Sequence, residues 1–175
     1  MKNPKRYNPV MVVLHWLTVL LILGAGLLAD NEGGGSSPID IHMILGALLL
    51  AVLVIRLIVR VATRRPAWAD TGNAIFNKLG ELVHYGLYAA ALFILGMGAL
   101  IAYNRNLFAA AMGSGTAGGR VGILGELHSM GWTLAILLIL GHIGAAFYHQ
   151  FVLKDNLLSR MWFGREKFSA GGHVR

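Results

Sequence analysis

The chain has 175 residues, 56% of them hydrophobic and only 13% charged, with a mean hydropathy of +0.63. A soluble domain carries about a quarter charged residues, so this balance excludes a disordered chain and argues against a water-soluble globule, while the length suits one compact unit. There is no cysteine, which excludes a disulfide scaffold, a thiolate-held iron–sulfur cluster, a Cys-type zinc site and a thioether-attached haem.

A helix that crosses a bilayer needs about 20 mostly apolar residues. Four stretches meet that length, at 8–29, 41–61, 79–102 and 128–153. The second and fourth are apolar on nearly every face, which favours lipid or a crowded bundle over a one-sided amphipathic helix. The first is too long for a cleaved signal peptide and lacks a small-residue cleavage site. The expected fold is therefore all-α: an integral membrane four-helix bundle in which residues 1–175 form a single unit.

Charge sets the expected orientation. The formal net charge is +7. Lys2, Lys5 and Arg6 precede the first span, Arg60, Arg64, Arg65 and Lys78 surround the second loop, and Lys154, Arg160, Arg165, Lys167 and Arg175 follow the fourth span. The other two loops hold only Arg105 and Arg120, and the first of them carries Asp30, Glu32 and Asp40. Cytoplasmic loops collect Lys and Arg, so both termini are expected in the cytoplasm of a bacterial cell, with the chain multi-pass in the inner membrane. Arg56 can snorkel to the same face. The basic excess reads as a topology signal, not as a nucleic-acid surface. The glycine-rich stretch between Tyr103 and Glu126 is expected to hold no packed domain.

Ionisable groups inside a span are costly and become functional candidates. Of the seven histidines, His15, His84 and His142 fall toward the cytoplasmic ends of their spans, and His42 and His128 toward the outer ends. His128 and His142 share one span. Fourteen residues at 1.5 Å each separate them by about 21 Å, and the accumulated rotation lies within about 40° of whole turns. The two rings thus face nearly the same way at two depths, a spacing that suits two stacked cofactors. His42 matches the outer level; His15 and His84 both match the inner one. A b-type haem is non-covalent and takes axial imidazoles, and the glycines of all four spans offer room beside the helices, besides allowing close helix approach. Zinc favours four ligands converging at one level, whereas these histidines divide between two. A metal or haem transporter would favour intramembrane carboxylates, and Glu81, Glu126 and Asp155 all lie near span ends.

Several segments in order carry a family resemblance: LHW at 14–16, IHM at 41–43, VIRLIVR at 54–60, LVHYGLY at 82–88, YNR at 103–105, ELHSMGW at 126–132, and GHIGAAFYHQFVLKDNLLSRM at 141–161. The chain resembles the bacterial cytochrome b561 family, small four-helix di-haem membrane proteins, over almost its whole length. The resemblance implies two b haems, with His15 and His142 on the cytoplasmic-side iron and His42 and His128 on the periplasmic-side iron, leaving His84 as a neighbour. It also implies a quinone site near His149 and Lys154, where an imidazole can supply a proton near neutral pH. Arg56, Arg60 and Arg105 are candidates for haem propionates, and Arg105 and Arg120 for steering a small anion.

The expected function is transmembrane electron transfer, oxidising superoxide at the periplasmic side and reducing ubiquinone. The alternative is a di-haem anchor subunit that passes electrons between a docked dehydrogenase or hydrogenase and the quinone pool. Trp16, Trp68, Trp132 and Trp162 are read as an interfacial belt, and the tail residue His173 carries no role.

Overall fold

The computed structural model describes residues 6–29 and 38–162. The expected features at Lys2, Lys5, Asp30, Glu32, Arg165, Lys167, His173 and Arg175 lie outside the described residues. Five α-helices follow one another: α1 (Pro9–Ala29), α2 (Pro38–Ala62), α3 (Ala74–Asn104), the short α4 (Leu107–Ala111) and α5 (Gly122–Phe147). A π-helical turn (Tyr148–Leu153) and a 3-10 turn (Leu157–Met161) complete the described chain. Among the described residues there is no strand. Among the described residues, four segments are long and apolar enough to cross a membrane: Pro9–Leu27, Ile41–Ala62, Ala74–Asn104 and Gly122–Leu153.

Local chemistry explains the helix starts. Asn8 Oδ1 accepts the Val10 N–H at 2.9 Å, and Pro9 occupies a first-turn position where a missing N–H does no harm. The third span begins five residues earlier than its apolar run suggests. Asn73 caps α3, accepting from the N–H groups of Ile75 and Phe76, and Asn77 accepts from both the N–H and the hydroxyl of Thr71 at 2.8 Å. A polar first turn held by its own side chains is helical yet invisible to a hydropathy window. The fourth span starts earlier too, at Gly122. It does not remain α-helical to 153; the π turn takes over at Tyr148. The glycine-rich stretch is shortened at both ends and holds α4, whose Leu107 is buried.

The bundle is two hairpins. α1 packs closely on α2 and α3 on α5, while the hairpins touch each other far less. Leu14 and Leu21 of α1 meet Leu49 and Val52 of α2, with Leu95 of α3 against this cluster. Glycines set three close approaches. A Cβ at Gly26 would lie 2.6 Å from the Trp132 indole, one at Gly131 2.9 Å from Ile94, and one at Gly98 3.2 Å from the His128 ring. Large apolar side chains such as Leu20, Leu23, Ile58, Leu82, Leu137 and Leu140 face outward. That inversion fits a lipid surround, in which apolar surface needs no burial.

One end of the bundle is tied together by hydrogen bonds. Tyr7 N–H donates to Arg160 O at 3.3 Å, Trp16 Nε1–H to Met161 O at 2.9 Å, and the Arg160 guanidinium to Ala67 O at 2.9 Å. The segment before α1, the α2–α3 connection and the segment after α5 therefore share one end. It is the end rich in Arg and Lys, and we call it the basic end.

Candidate functional site: two histidine pairs between the hairpins

Each hairpin contributes histidines to the space between them. Toward the basic end, His15 of α1 faces His142 of α5 with ring centroids 6.4 Å apart and ring planes at 71°. Toward the opposite end, His42 of α2 faces His128 of α5 at 6.1 Å and 70°. A metal-bound imidazole nitrogen sits about 2 Å from the metal and about 1 Å from its own ring centre, so two imidazoles on opposite sides of one iron hold their centroids about 6 Å apart. Both pairs have that separation. His84 of α3 lies closer to His142, at 4.9 Å and 89°, too near for an iron held between opposed rings.

Hydrogen bonding sets the tautomers. A main-chain carbonyl only accepts, so the ring nitrogen facing one must carry a proton. His42 Nδ1 donates to Ala25 O at 3.0 Å, His128 Nδ1 to Ile94 O at 2.9 Å and His84 Nδ1 to Gly80 O at 2.7 Å. In each ring Nε2 keeps the lone pair that a metal needs, oriented by a partner of the kind that metal-ligating histidines have. His15 differs. Its Nδ1 lies 3.0 Å from Arg56 Nη2, and a guanidinium only donates. A neutral His15 in this arrangement carries its proton on Nε2, so ligation through Nε2 requires Arg56 to turn to another acceptor.

Such an acceptor suits the surrounding charge. Arg56 Nε and Arg60 Nη2 are buried without a hydrogen-bond partner. Arg56 stacks over Tyr88 at 5.7 Å, and Arg60 over Tyr88 at 5.4 Å and Trp68 at 5.9 Å. Aromatic faces stabilise cations without satisfying their N–H groups; a carboxylate would satisfy them. At the other end of α3, Arg105 Nε is also buried and unpartnered.

Space for a flat ligand lies beside the outer pair. A Cβ added at Gly46, one turn along from His42 and on the same helix face, would meet nothing within 4 Å. The residues present therefore fit haem: opposed imidazoles, open glycine surface, and orphaned cations for carboxylate edges. Among the described residues, no three His, Cys, Asp or Glu side chains converge as a metal cluster would require.

Residues 6–164 match the profile described as prokaryotic cytochrome b561. The chain belongs to that family. Cytochrome b561 homolog 2 of Escherichia coli strain K12 is 28% identical over 175 residues, covering 91% of this chain and 92% of its own. Cytochrome b561 homolog 1 of the same organism is 26% identical, covering 89% and 96%. A probable superoxide oxidase CybB of Yersinia pestis is 23% identical, covering 90% and 96%. No solved structure matches the chain. As a prokaryotic cytochrome b561, this is a multi-pass membrane protein of electron transfer, and its family implies haem b.

The other expected site residues lie at the two ends of this cytochrome. His149, in the π turn, is 6% exposed, and its Nδ1 lies 2.6 Å from Asp155 Oδ2. Lys154 is exposed and adopts a left-handed conformation, φ 55°. Arg105 caps the C-terminus of α3. Sequence reasoning missed the Ala25, Gly80 and Ile94 carbonyls, Tyr88, and the Asp155 partner. Of these only Gly80 was open to it, as the residue one helical turn before His84.

Proposed function

We propose that this cytochrome carries electrons between two bis-histidine b haems, taking them from superoxide at the periplasmic side and delivering them to ubiquinone near the cytoplasmic face. The observation that carries the reading is the two-level histidine arrangement: His15 with His142 and His42 with His128, at 6.4 and 6.1 Å. The Lys and Arg bias supports a cytoplasmic basic end and a His42–His128 level toward the periplasm of the inner membrane. The CybB relative, a probable superoxide oxidase by name, supports the choice of donor.

Bound haem supplies one-electron carriage at each level. The protein does the rest. The Nδ1–H bonds to Ala25 and Ile94 fix the ring orientation of His42 and His128. The Trp132 indole packed on Gly26 joins the hairpins next to Ala25, whose carbonyl holds His42. Arg105, with Arg120, gives the outer face positive charge that attracts a small anion. Toward the cytoplasm, His149 holds a proton that a reduced quinone oxygen needs, and Lys154 orients a carbonyl.

Purified protein in mild detergent, mixed oxidised with superoxide in a stopped-flow spectrometer, tests this. The expected result is two haems per chain that reduce rapidly and reoxidise when ubiquinone is added. Haems that stay oxidised with superoxide yet accept electrons from a quinol would replace this reading with the anchor-subunit one. Fewer than two haems would remove the four-ligand assignment.

A further inference from the structure

The segment after α5 is built around one contact. The α-helix gives way to the π turn at Tyr148, a rare helix form that is frequent at functional sites. Lys154 and Asn156 then both take left-handed conformations, φ 55° and 57°. For non-glycine residues this backbone is disfavoured, less so for Asn. Together they fold the chain back, so that Asp155 N–H donates to His149 O at 3.3 Å. The Asp155 side chain lands on His149, Oδ2 on Nδ1 at 2.6 Å, while its Oδ1 accepts the Leu157 N–H at 3.1 Å. A nearly fully buried imidazole thus meets a carboxylate whose other oxygen is itself fixed. Strain of this kind persists only where the surroundings enforce it, and it collects at working sites.

We infer that Asp155 is the positioning residue of the quinone-side proton donor. It rests on the quinone reading above and deepens it. Asp155 accepts from Nδ1–H and so leaves Nε2 as the nitrogen for an outside partner. With Nδ1–H held by Asp155, Nε2 is the nitrogen that takes up a proton and delivers it. The balance is explicit. Two superoxide anions each lose one electron and leave as dioxygen. Ubiquinone gains those two electrons and two protons to become ubiquinol. His149 Nε2–H transfers one proton to a quinone oxygen, and water at the cytoplasmic face supplies the other and reprotonates the ring. Asp155 remains a carboxylate throughout.

The test uses full-length, haem-loaded protein reduced with stoichiometric dithionite and mixed with ubiquinone, comparing wild type, Asp155→Asn and Asp155→Glu. The Asn variant is expected to lower the maximal reoxidation rate about 10- to 100-fold, the range known for loss of the partner that orients a metal-ligating histidine. Its half-saturating quinone concentration stays near wild type, Glu recovers most of the rate, and haem content and superoxide-driven reduction are unchanged. An Asn variant as fast as wild type overturns the inference. So does equal impairment of Asn and Glu with lowered melting temperatures, which assigns Asp155 to the fold of the turn alone. Wild type that quinone does not reoxidise overturns the quinone reading itself, and this inference with it.

Discussion

His42 and His128 face each other across the two hairpins at 6.1 Å, and each donates its Nδ1 proton to a main-chain carbonyl of its own hairpin, at Ala25 and Ile94. The rings are oriented by backbone, which does not change with side-chain rotamers, and each keeps the Nε2 lone pair unused by these bonds. A site built this way is organised before any ligand arrives. In its counterpart, His15 with His142, the His15 Nδ1 meets a side chain, Arg56, in place of a carbonyl.

If each pair holds one haem, single substitutions separate them. His128→Ala or His42→Ala is expected to leave one haem per chain, and so is His142→Ala or His15→Ala, with a different surviving spectrum. His84→Ala keeps two, because its 4.9 Å approach to His142 leaves no space for an iron between opposed rings. Pyridine haemochrome quantitation against protein checks the counts. One haem in His84→Ala and two in His15→Ala would transfer the ligand role to His84.

Arg56 places a buried positive charge against His15. A nearby cation favours the reduced, less positive state of an iron. Arg56→Gln is expected to lower the midpoint potential of the basic-end haem by about 59 mV, a tenfold change in a one-electron equilibrium, and to leave the other haem unmoved. A potentiometric titration followed in the visible bands resolves the two.

Gly26 admits the Trp132 indole, and any Cβ there would lie 2.6 Å from it. Gly26→Val should therefore overpack the contact between the hairpins and destabilise by about 1–3 kcal/mol, read as a lower melting temperature in detergent. Gly80→Ala, where a Cβ meets nothing within 4 Å, is the control and should melt at or slightly above wild type, since Ala favours a helix interior.

The α3 cap makes a pH prediction. Hydrogen bonds from Asn77 Nδ2 and then from the Gly72 N–H hold the exposed Asp70 carboxyl below its ordinary pKa. A lowered folded-state pKa adds stability that is present above the ordinary carboxylate value and lost as pH falls through the lowered one. Asp70→Ala should melt slightly below wild type at neutral pH, and the gap should narrow in acid. Asn73→Ala, which removes the cap itself, should cost about 1 kcal/mol with no such pH dependence. Melting curves over an acid-to-neutral series distinguish the two.

The sequence by itself determined the four spans, because crossing a bilayer requires apolar length and little else, and composition shows that directly. It determined the two levels of histidine as well, since His128 and His142 share one helix and rise per residue converts their spacing to depth. The charge asymmetry that groups the two terminal segments with the α2–α3 loop was also legible, and the Tyr7–Arg160 and Arg160–Ala67 hydrogen bonds put those segments at one end. Residue spacing left His15 and His84 tied at the inner level; only the tertiary structure gave their separations from His142, 6.4 and 4.9 Å, because these depend on how each helix is turned. It alone decided their tautomers, which depend on carbonyls such as Ala25, seventeen residues from His42. It alone brought Asp155 onto His149: that contact comes from a π turn and two left-handed residues, backbone states with no hydrophobic period for a sequence to display.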